Sequence, residues 1–194
     1  MRRGARGFLD SKPAGPDTFL PMSEGVPTSL SVCVRDHVAC VRVTGQAKFR
    51  AATDFKNLLL ELQKDGCTEI VLDLTQCPLM DSTFMGVMTV MARKCDAARK
   101  EGRPCTLKLY HPSERIVEAL ANFEILGSFT VLENPPQFGA FKRVEDGKTS
   151  RTEMTRTCHE AHKALVETSE ENARRFGDAA AFFEKNLREE EGKE

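Results

Sequence analysis

Apolar and polar residues recur with two different periods along the chain, and these periods predict which segments form strands and which form helices. Two runs rich in β-branched residues, at 30–34 and 38–43, flank a short polar turn and predict a β-hairpin. Between residues 51 and 64 apolar side chains return every three or four positions, which predicts a helix that ends at Asp65-Gly66. The nearly continuous apolar run at 69–74 is typical of a strand that is covered on both faces or central in a sheet.

The pattern continues with a second helix over residues 82–101, on which one apolar stripe predicts a buried face. Its residues are Phe84, Met88, Met91 and Cys95. A strand at 105–110, a helix that begins at Pro112-Ser113 and a strand at 129–133 follow. The order β-β-α-β-α-β-α-β predicts an α/β fold, in which a mixed sheet of four or five strands carries the helices at 51–64 and 82–101.

Composition divides the chain into four segments. Residues 1–27 are rich in proline and glycine and predict a flexible tail, residues 28–136 form the predicted domain, and residues 137–150 are a predicted linker. Residues 151–194 predict a helical C-terminal extension whose apolar stripe is weak and interrupted at Gly177. The extension either lies on the domain or binds a partner. The sequence leaves open whether translation starts at Met1 or Met22.

Charge and cysteine content narrow the function classes. A formal net charge of -1 gives no indication of nucleic acid as a partner. No apolar run approaches the roughly 18 residues of a membrane span, and no secretory signal is recognisable. The seven cysteines contain no CxxC pair, and several lie within apolar runs. This pattern favours buried thiols in a cytoplasmic protein over a disulfide framework. The oligomeric state stays open.

Enzyme motifs are absent from the sequence. There is no glycine-rich phosphate loop and no GxSxG nucleophile motif, and Asp73 and Asp81 have no evident acid–base partner. The segment CHEAH at 158–162 lacks the histidine spacing of a zinc helix, which favours solvated histidines over a metal site. We therefore predict a protein without cofactor, metal or catalytic activity.

The segment LMDSTFMGV at 79–87 places an acid and two hydroxyls at the start of the second predicted helix. One interpretation is a helix cap, because Asp or Ser at this position accepts hydrogen bonds from unpaired backbone N–H groups. The other is a phosphorylation site on Ser82, because a helix N-terminus favours a phosphate group. The hydroxyl of Ser82 is expected near the surface, because the loop must expose the end of the helix. Both can hold at once, and Thr83 is the competing hydroxyl.

The element order, with IVLDLTQCPLMDSTFMGVMTVMAR at its centre, resembles a STAS domain over roughly residues 28–134. Within that family the sequence is similar to bacterial anti-sigma factor antagonists (anti-anti-sigma factors). The residues that carry the resemblance are Asp73, Leu74, Met80, Asp81, Ser82, Thr83, Met85 and Gly86.

The resemblance implies a partner-switching role. An anti-sigma factor that is also a serine kinase of the GHKL type would phosphorylate Ser82. The unphosphorylated form would bind that kinase and release a sigma factor, and a PP2C-type phosphatase would reset the switch. The alternative is a non-switching STAS scaffold, a subunit of a sensory (stressosome-like) assembly or of a lipid-transport complex.

The predicted partner-binding surface contains Asp81, Ser82, Thr83, Phe84, Gly45, Gln46 and Lys48. Two positions depart from the family pattern. The family often has Gly-Glu-Leu-Asp after the second strand, whereas this chain has Gly45-Gln46-Ala47-Lys48, which removes two acids and adds a base. Phe84 stands where the family usually has glycine and is interpreted either as a core residue or as an exposed anchor.

Overall fold

The computed structural model describes residues 27–134 and 138–192, which form a six-stranded mixed sheet and five α-helices. The strand order is β5-β4-β3-β2-β1-β6. The strands are β1 (Ser29–Arg35), β2 (Val38–Thr44), β3 (Glu69–Asp73), β4 (Thr106–Tyr110), β5 (Thr130–Leu132) and β6 (Lys142–Arg143). Strands β2 to β5 run parallel, while β1 is antiparallel to both β2 and β6. The predicted α/β fold with a mixed sheet is confirmed.

One strand lies outside the predicted set. Lys142–Arg143 pairs with Val32 and Ser31 of β1, so part of the predicted linker at 137–150 belongs to the sheet. A two-residue strand has no detectable period, and for this reason its sequence gave no signal. The sheet has six strands instead of four or five.

The helices are α1 (Phe49–Lys64), α2 (Ser82–Lys100), α3 (Glu114–Asn122), α4 (Arg151–Val166) and α5 (Glu170–Glu191), with a short 3-10 turn at Leu126–Ser128. A single core cluster joins β1 to β4 with all five α-helices. The predicted stripe of α2 is buried, since Phe84, Met88, Met91 and Cys95 are all at most 2% exposed. Helix α1 ends as predicted, with Gly66 at φ +90, where glycine avoids the strain that a Cβ causes.

Helices α4 and α5 form an antiparallel hairpin, called here the C-terminal hairpin, that packs on α2 mainly through α4. Its turn lies at Glu167 to Ser169, and the Ser169 side chain caps α5. Gly177, predicted to interrupt the pattern, lies inside α5 with open space beside it. The hairpin joins the main core through Ala161, Leu165 and Phe176. The C-terminal extension therefore lies on the domain.

The prediction that the cysteines form no disulfide is wrong at one pair. Cys95, near the end of α2, is disulfide-bonded to Cys105, just before β4. The Gln63 side-chain amide contacts both sulfur atoms, at 3.3 and 3.1 Å. The polypeptide turns back after Lys100 and brings these two cysteines together, which spacing alone does not reveal. Five other cysteines are buried free thiols, as expected.

Two predictions concern other regions. The predicted flexible tail falls almost wholly on residues 1–26, which lie outside the described residues. Among the helices that the structure describes, none is long and apolar enough to cross a membrane.

Candidate functional site

The N-terminus of α2 is organised by Asp81, whose carboxylate joins two helices. Asp81 has extended backbone angles and is the N-cap: its Oδ1 accepts a 2.8 Å hydrogen bond from the Phe84 amide. Its Oδ2 accepts a 2.7 Å bond from the Phe49 amide at the start of α1. Both amides belong to the first helical turns, whose N–H groups lack partners within the helix. The carboxylate therefore fixes the two helix N-termini side by side.

The loop from Gly45 to Lys48 lies against the loop that precedes Asp81. Ala47 and Met80 form a parallel bridge, in which the Ala47 amide donates to Leu79 and the Asp81 amide donates to Ala47. The Gly45 amide donates to Gln76 at 2.9 Å. Both loops follow parallel strands, so they emerge at the same edge of the sheet. The structure thus brings together the two predicted partner-binding segments.

The residues of the first loop differ in exposure. Gly45 has a positive φ of +82, which a turn requires and glycine adopts without strain. It is buried, so it cannot contact a partner directly. Gln46 is half-buried and Lys48 is exposed. Phe49 and Arg50 are also exposed, and Phe49, at 41%, is among the few large apolar residues on the surface of the described ranges. Sequence reasoning missed Phe49, although it directly follows the predicted loop.

Ser82 is the first residue of α2 and does not cap it. Its hydroxyl lies 3.3 Å from Nε2 of His162, in α4. The Nδ1 atom of that imidazole lies 2.8 Å from the Cys158 carbonyl. A carbonyl only accepts, so Nδ1 carries the hydrogen, and in the neutral ring Nε2 accepts a hydrogen bond from Ser82. The Phe183 ring stacks on the imidazole with centroids 5.2 Å apart.

This contact corrects two predictions. The hydroxyl of Ser82 was expected near the surface, but Ser82 is half-buried beneath α4. The histidines of CHEAH were expected in solvent, but His162 is 5% exposed. Ser82 and His162 are 80 residues apart, so nothing in the local sequence indicates their contact. The only available signal was the placing of His162 on the apolar side of a weak helical stripe.

Thr83 and Phe84 belong to the interior. Thr83 is 5% exposed, and its side chain is hydrogen-bonded to the Cys158 thiol, whose pKa is raised by burial despite that bond. Phe84 is fully buried and stacks on Phe55 of α1, with ring centroids 4.4 Å apart. Of the two interpretations of Phe84, the core residue is correct. As an exposed anchor in a partner-binding surface, Phe84 is excluded by its burial.

A partly buried ion pair lies at the end of β3 on the opposite face of the sheet, with the Asp73 side chain 8% and the Arg42 side chain 37% exposed. Arg42 Nε donates to Asp73 Oδ2 at 2.7 Å, and the guanidinium lies 3.9 Å from the centroid of the Phe141 ring. Burial acts to raise the pKa of the Asp73 carboxyl, but hydrogen bonds from Arg42 and Thr75 outweigh it and hold that pKa below its usual value. Asp73 is therefore a structural carboxylate that organises the turn after β3.

Metal binding has no support within residues 27–134 and 138–192, where no three His, Cys, Asp or Glu side chains are grouped closely enough to hold an ion. His159, the other histidine of CHEAH, faces the Ala180 carbonyl of α5 at 3.3 Å. The chemistry that the site offers is a single serine hydroxyl at a helix N-terminus, with an imidazole as its partner.

Comparison with known proteins identifies the family. The model described as STAS domain matches residues 29–135, more than half of the chain, so the chain belongs to the STAS domain family. No curated protein gave a significant match.

Similar solved structures include the anti-sigma factor antagonist SpoIIAA in its unphosphorylated form, with a TM-score of 0.46 and 14% identity over 53% of this chain and 87% of that chain. The phosphorylated form of the Bacillus cell fate determinant SpoIIAA gives a TM-score of 0.44 and 15% identity, over 55% of this chain and 91% of that one. A Thermotoga maritima protein described as a candidate anti-sigma factor antagonist gives 0.45 and 16% identity, over 54% and 86%. These likenesses concern the fold alone.

Proposed function

We propose that this chain is an anti-sigma factor antagonist controlled by phosphorylation of Ser82. In its unphosphorylated form it binds an anti-sigma serine kinase of the GHKL type and so releases a sigma factor. The kinase transfers the γ-phosphoryl group of ATP to Ser82 Oγ; the bond from that phosphorus to ADP breaks and the hydroxyl proton is lost. A PP2C-type phosphatase restores the hydroxyl. The chain acts as a binding partner and substrate, not as the catalyst, in the cytoplasm.

The observation that supports this proposal is that Asp81 and Ser82 have different roles at the start of α2. Asp81 alone caps α2, so the Ser82 hydroxyl has no role in holding the helix. Thr83, the competing acceptor, is buried against Cys158. A phosphoryl group on Ser82 adds roughly 1.5 to 2 negative charges beside Asp81 and Phe49, at the edge where the two loops meet. That charge would repel a partner that binds the unmodified surface.

Gln46 and Lys48 stand where the family often has two acids, and this difference indicates the charge of the partner. Lys48 and Arg50 are exposed around Phe49, and the first turn of α1 contains no acid. The one carboxylate described here, that of Asp81, has both oxygens bonded to helix amides, so the two exposed cations outnumber it. We propose that the kinase presents an acidic surface here, with Phe49 as an apolar contact.

The test is binding of the purified full chain to the kinase with nucleotide. Ser82→Ala should bind as wild type and resist phosphorylation, while Ser82→Asp should bind at least about tenfold more weakly, through charge repulsion. Ser169→Asp is the matched control, because it adds the same charge at the N-terminus of a different helix, α5, and should bind normally. Equal affinity of all four proteins would reject the switch.

The alternative function, a non-switching scaffold in a sensory or lipid-transport assembly, is favoured by one observation. The C-terminal hairpin covers α2, and Ser82 is half-buried beneath it. Purification of the chain from its native cells separates the two functions. Co-purification with transporter or sensory subunits, with no kinase and no phosphate on Ser82, would support the scaffold.

A further inference from the structure

One face of α2 is covered between Ser82 and Arg93 by α4 and by Glu167, which directly follows it. Ser82 contacts His162, and near the other end Arg93 forms a 2.6 Å ion pair with Glu167. Between them, Gly86 lies directly against Ala161, which is fully buried. Residues 82, 86 and 93 are spaced by four and seven positions, so they share one side of the helix. We call this side the switch face, because it carries Ser82.

The contact at Gly86 is a close approach of two backbones. A Cβ built on Gly86 would lie 2.4 Å from the Ala161 carbonyl oxygen and 2.7 Å from its carbon. Those atoms are main chain and cannot rotate away. Glycine at this position therefore allows α4 to pack directly on α2, and no other molecule has access to the switch face at Gly86 while it does so.

Polar contacts fix the C-terminal hairpin in this position. The ammonium of Lys56 in α1 pairs with Glu160 at 2.6 Å, and the side-chain amide of Asn57 donates to Glu153 at 2.8 Å. At the other end, the Asn172 side chain donates to the Phe123 carbonyl at 2.7 Å. The hairpin thus contacts α1, α2 and the end of α3, and its covalent connection to the sheet is the segment that follows β6.

We propose that the C-terminal hairpin is an intramolecular lid that competes with the kinase for the switch face. In the closed state His162 accepts the Ser82 hydrogen bond, and α4 occupies the space that a phosphate donor needs for approach to Ser82 Oγ. Displacement of the hairpin exposes Ser82 and the face beside it together. This inference rests on the proposed function of Ser82, and it adds a second level of control within the chain.

Gly86→Ala in the full chain tests the lid with a single methyl group. Alanine favours helix over glycine, so α2 itself is preserved, while the new Cβ forces α4 away. Gly177→Ala is the matched control, since it makes the same exchange in α5 with nothing within 4 Å. The readout is the rate at which N-ethylmaleimide modifies Cys158, measured by mass spectrometry. Cys158 lies on the inner side of α4 against Thr83 of α2, is 3% exposed, and becomes accessible when α4 moves away.

The lid predicts a rise of about tenfold or more in Cys158 labelling for Gly86→Ala, with no change for Gly177→Ala. Cys40, in the sheet, is the internal reference and should stay protected. Unchanged Cys158 labelling in Gly86→Ala would overturn the lid.

If Cys40 also becomes reactive, the Gly86→Ala variant is unfolding, and the test is then repeated with Glu160→Lys. That change sets two cations against each other at Lys56, and the added exchange Lys56→Glu should close the lid again. Failure of Glu160→Lys to raise labelling would also overturn the lid.

A second arm separates the lid from the switch. Incubation with the GHKL-type kinase and ATP should phosphorylate Ser82 about tenfold faster in the opened variant than in wild type. Equal rates in the two proteins would overturn the lid as a gate and leave the switch intact. No phosphate on Ser82 in either protein, together with raised Cys158 labelling, would instead reject the switch, while the labelling would still show a hairpin that opens.

Discussion

Replacement of Asp81 tests whether one carboxylate holds the two helix N-termini. Asp81→Ala removes the cap of α2, which typically costs about 1 kcal/mol, and the bond to the Phe49 amide, which contributes about another 1 kcal/mol. We expect a loss of about 2 kcal/mol in the free energy of unfolding, measured by urea denaturation at constant m-value. Asp81→Asn retains one acceptor oxygen and should lose about half as much.

The bond to α1 can be removed separately. Phe49 is the first residue of α1, where proline is tolerated, and Lys48 before it already has the extended backbone that proline requires. Phe49→Pro therefore deletes the N–H donor, and Phe49→Ala is its matched control for loss of the ring. The proline variant should be less stable than the alanine variant in the wild-type background, and this deficit should vanish when Asp81 is alanine. An unchanged deficit, or an Asp81→Ala loss below about 0.5 kcal/mol, would refute the two-helix role.

Three further predictions concern stability. The pKa of the Asp73 carboxyl is lowered in the folded state, so the ionised carboxylate stabilises the fold at pH values above the ordinary carboxyl pKa of about 4. This stabilisation is lost as the pH falls through the folded-state pKa. The difference in unfolding free energy between wild type and Asp73→Asn should therefore narrow in acid titrations. Reduction of the Cys95–Cys105 disulfide, which closes a short loop, should cost about 3 kcal/mol in denaturant unfolding, and an unchanged midpoint would contradict it. Truncation after residue 149 removes Leu165 and Phe176 from the core and should lower the free energy of unfolding, measured by calorimetry, by at least about 3 kcal/mol. A truncated domain as stable as the full chain would show that the hairpin does not contribute to the core.

Much of the fold was predictable because local periods and caps agree with it. The apolar stripe of α2 and the Asp65-Gly66 end of α1 follow from residues that are neighbours in sequence. The resemblance to the STAS family supplied the connection between these elements, and the match over residues 29–135 confirms it. The short β6 strand was missed, because its two residues contain too little pattern to register.

The surroundings of Ser82 were not predictable, because they depend on contacts between distant residues. The weak stripe of the C-terminal extension gave two interpretations, a helix on the domain or a helix for a partner. Which of the two is correct depends on the contact between Gly86 and Ala161, which are 75 residues apart in sequence. Local periodicity contains no information about such a contact. The pairing of Cys95 with Cys105 is a similar case, since it follows from the turn between α2 and β4.

The most direct test of the account is the location of phosphate after incubation of the full chain with the cognate GHKL-type kinase and ATP. Trypsin releases residues 65–93 as one peptide, which carries Ser82 and four threonines. Thr83 and Thr89 are 5% and 2% exposed, whereas Thr68 is half-buried and Thr75 is exposed. Fragmentation by mass spectrometry assigns the phosphate within it. The account predicts phosphate on Ser82 alone, and none on the peptide from Ser82→Ala. Phosphate on any of the four threonines, or a peptide that stays unmodified while the kinase phosphorylates itself, would contradict it.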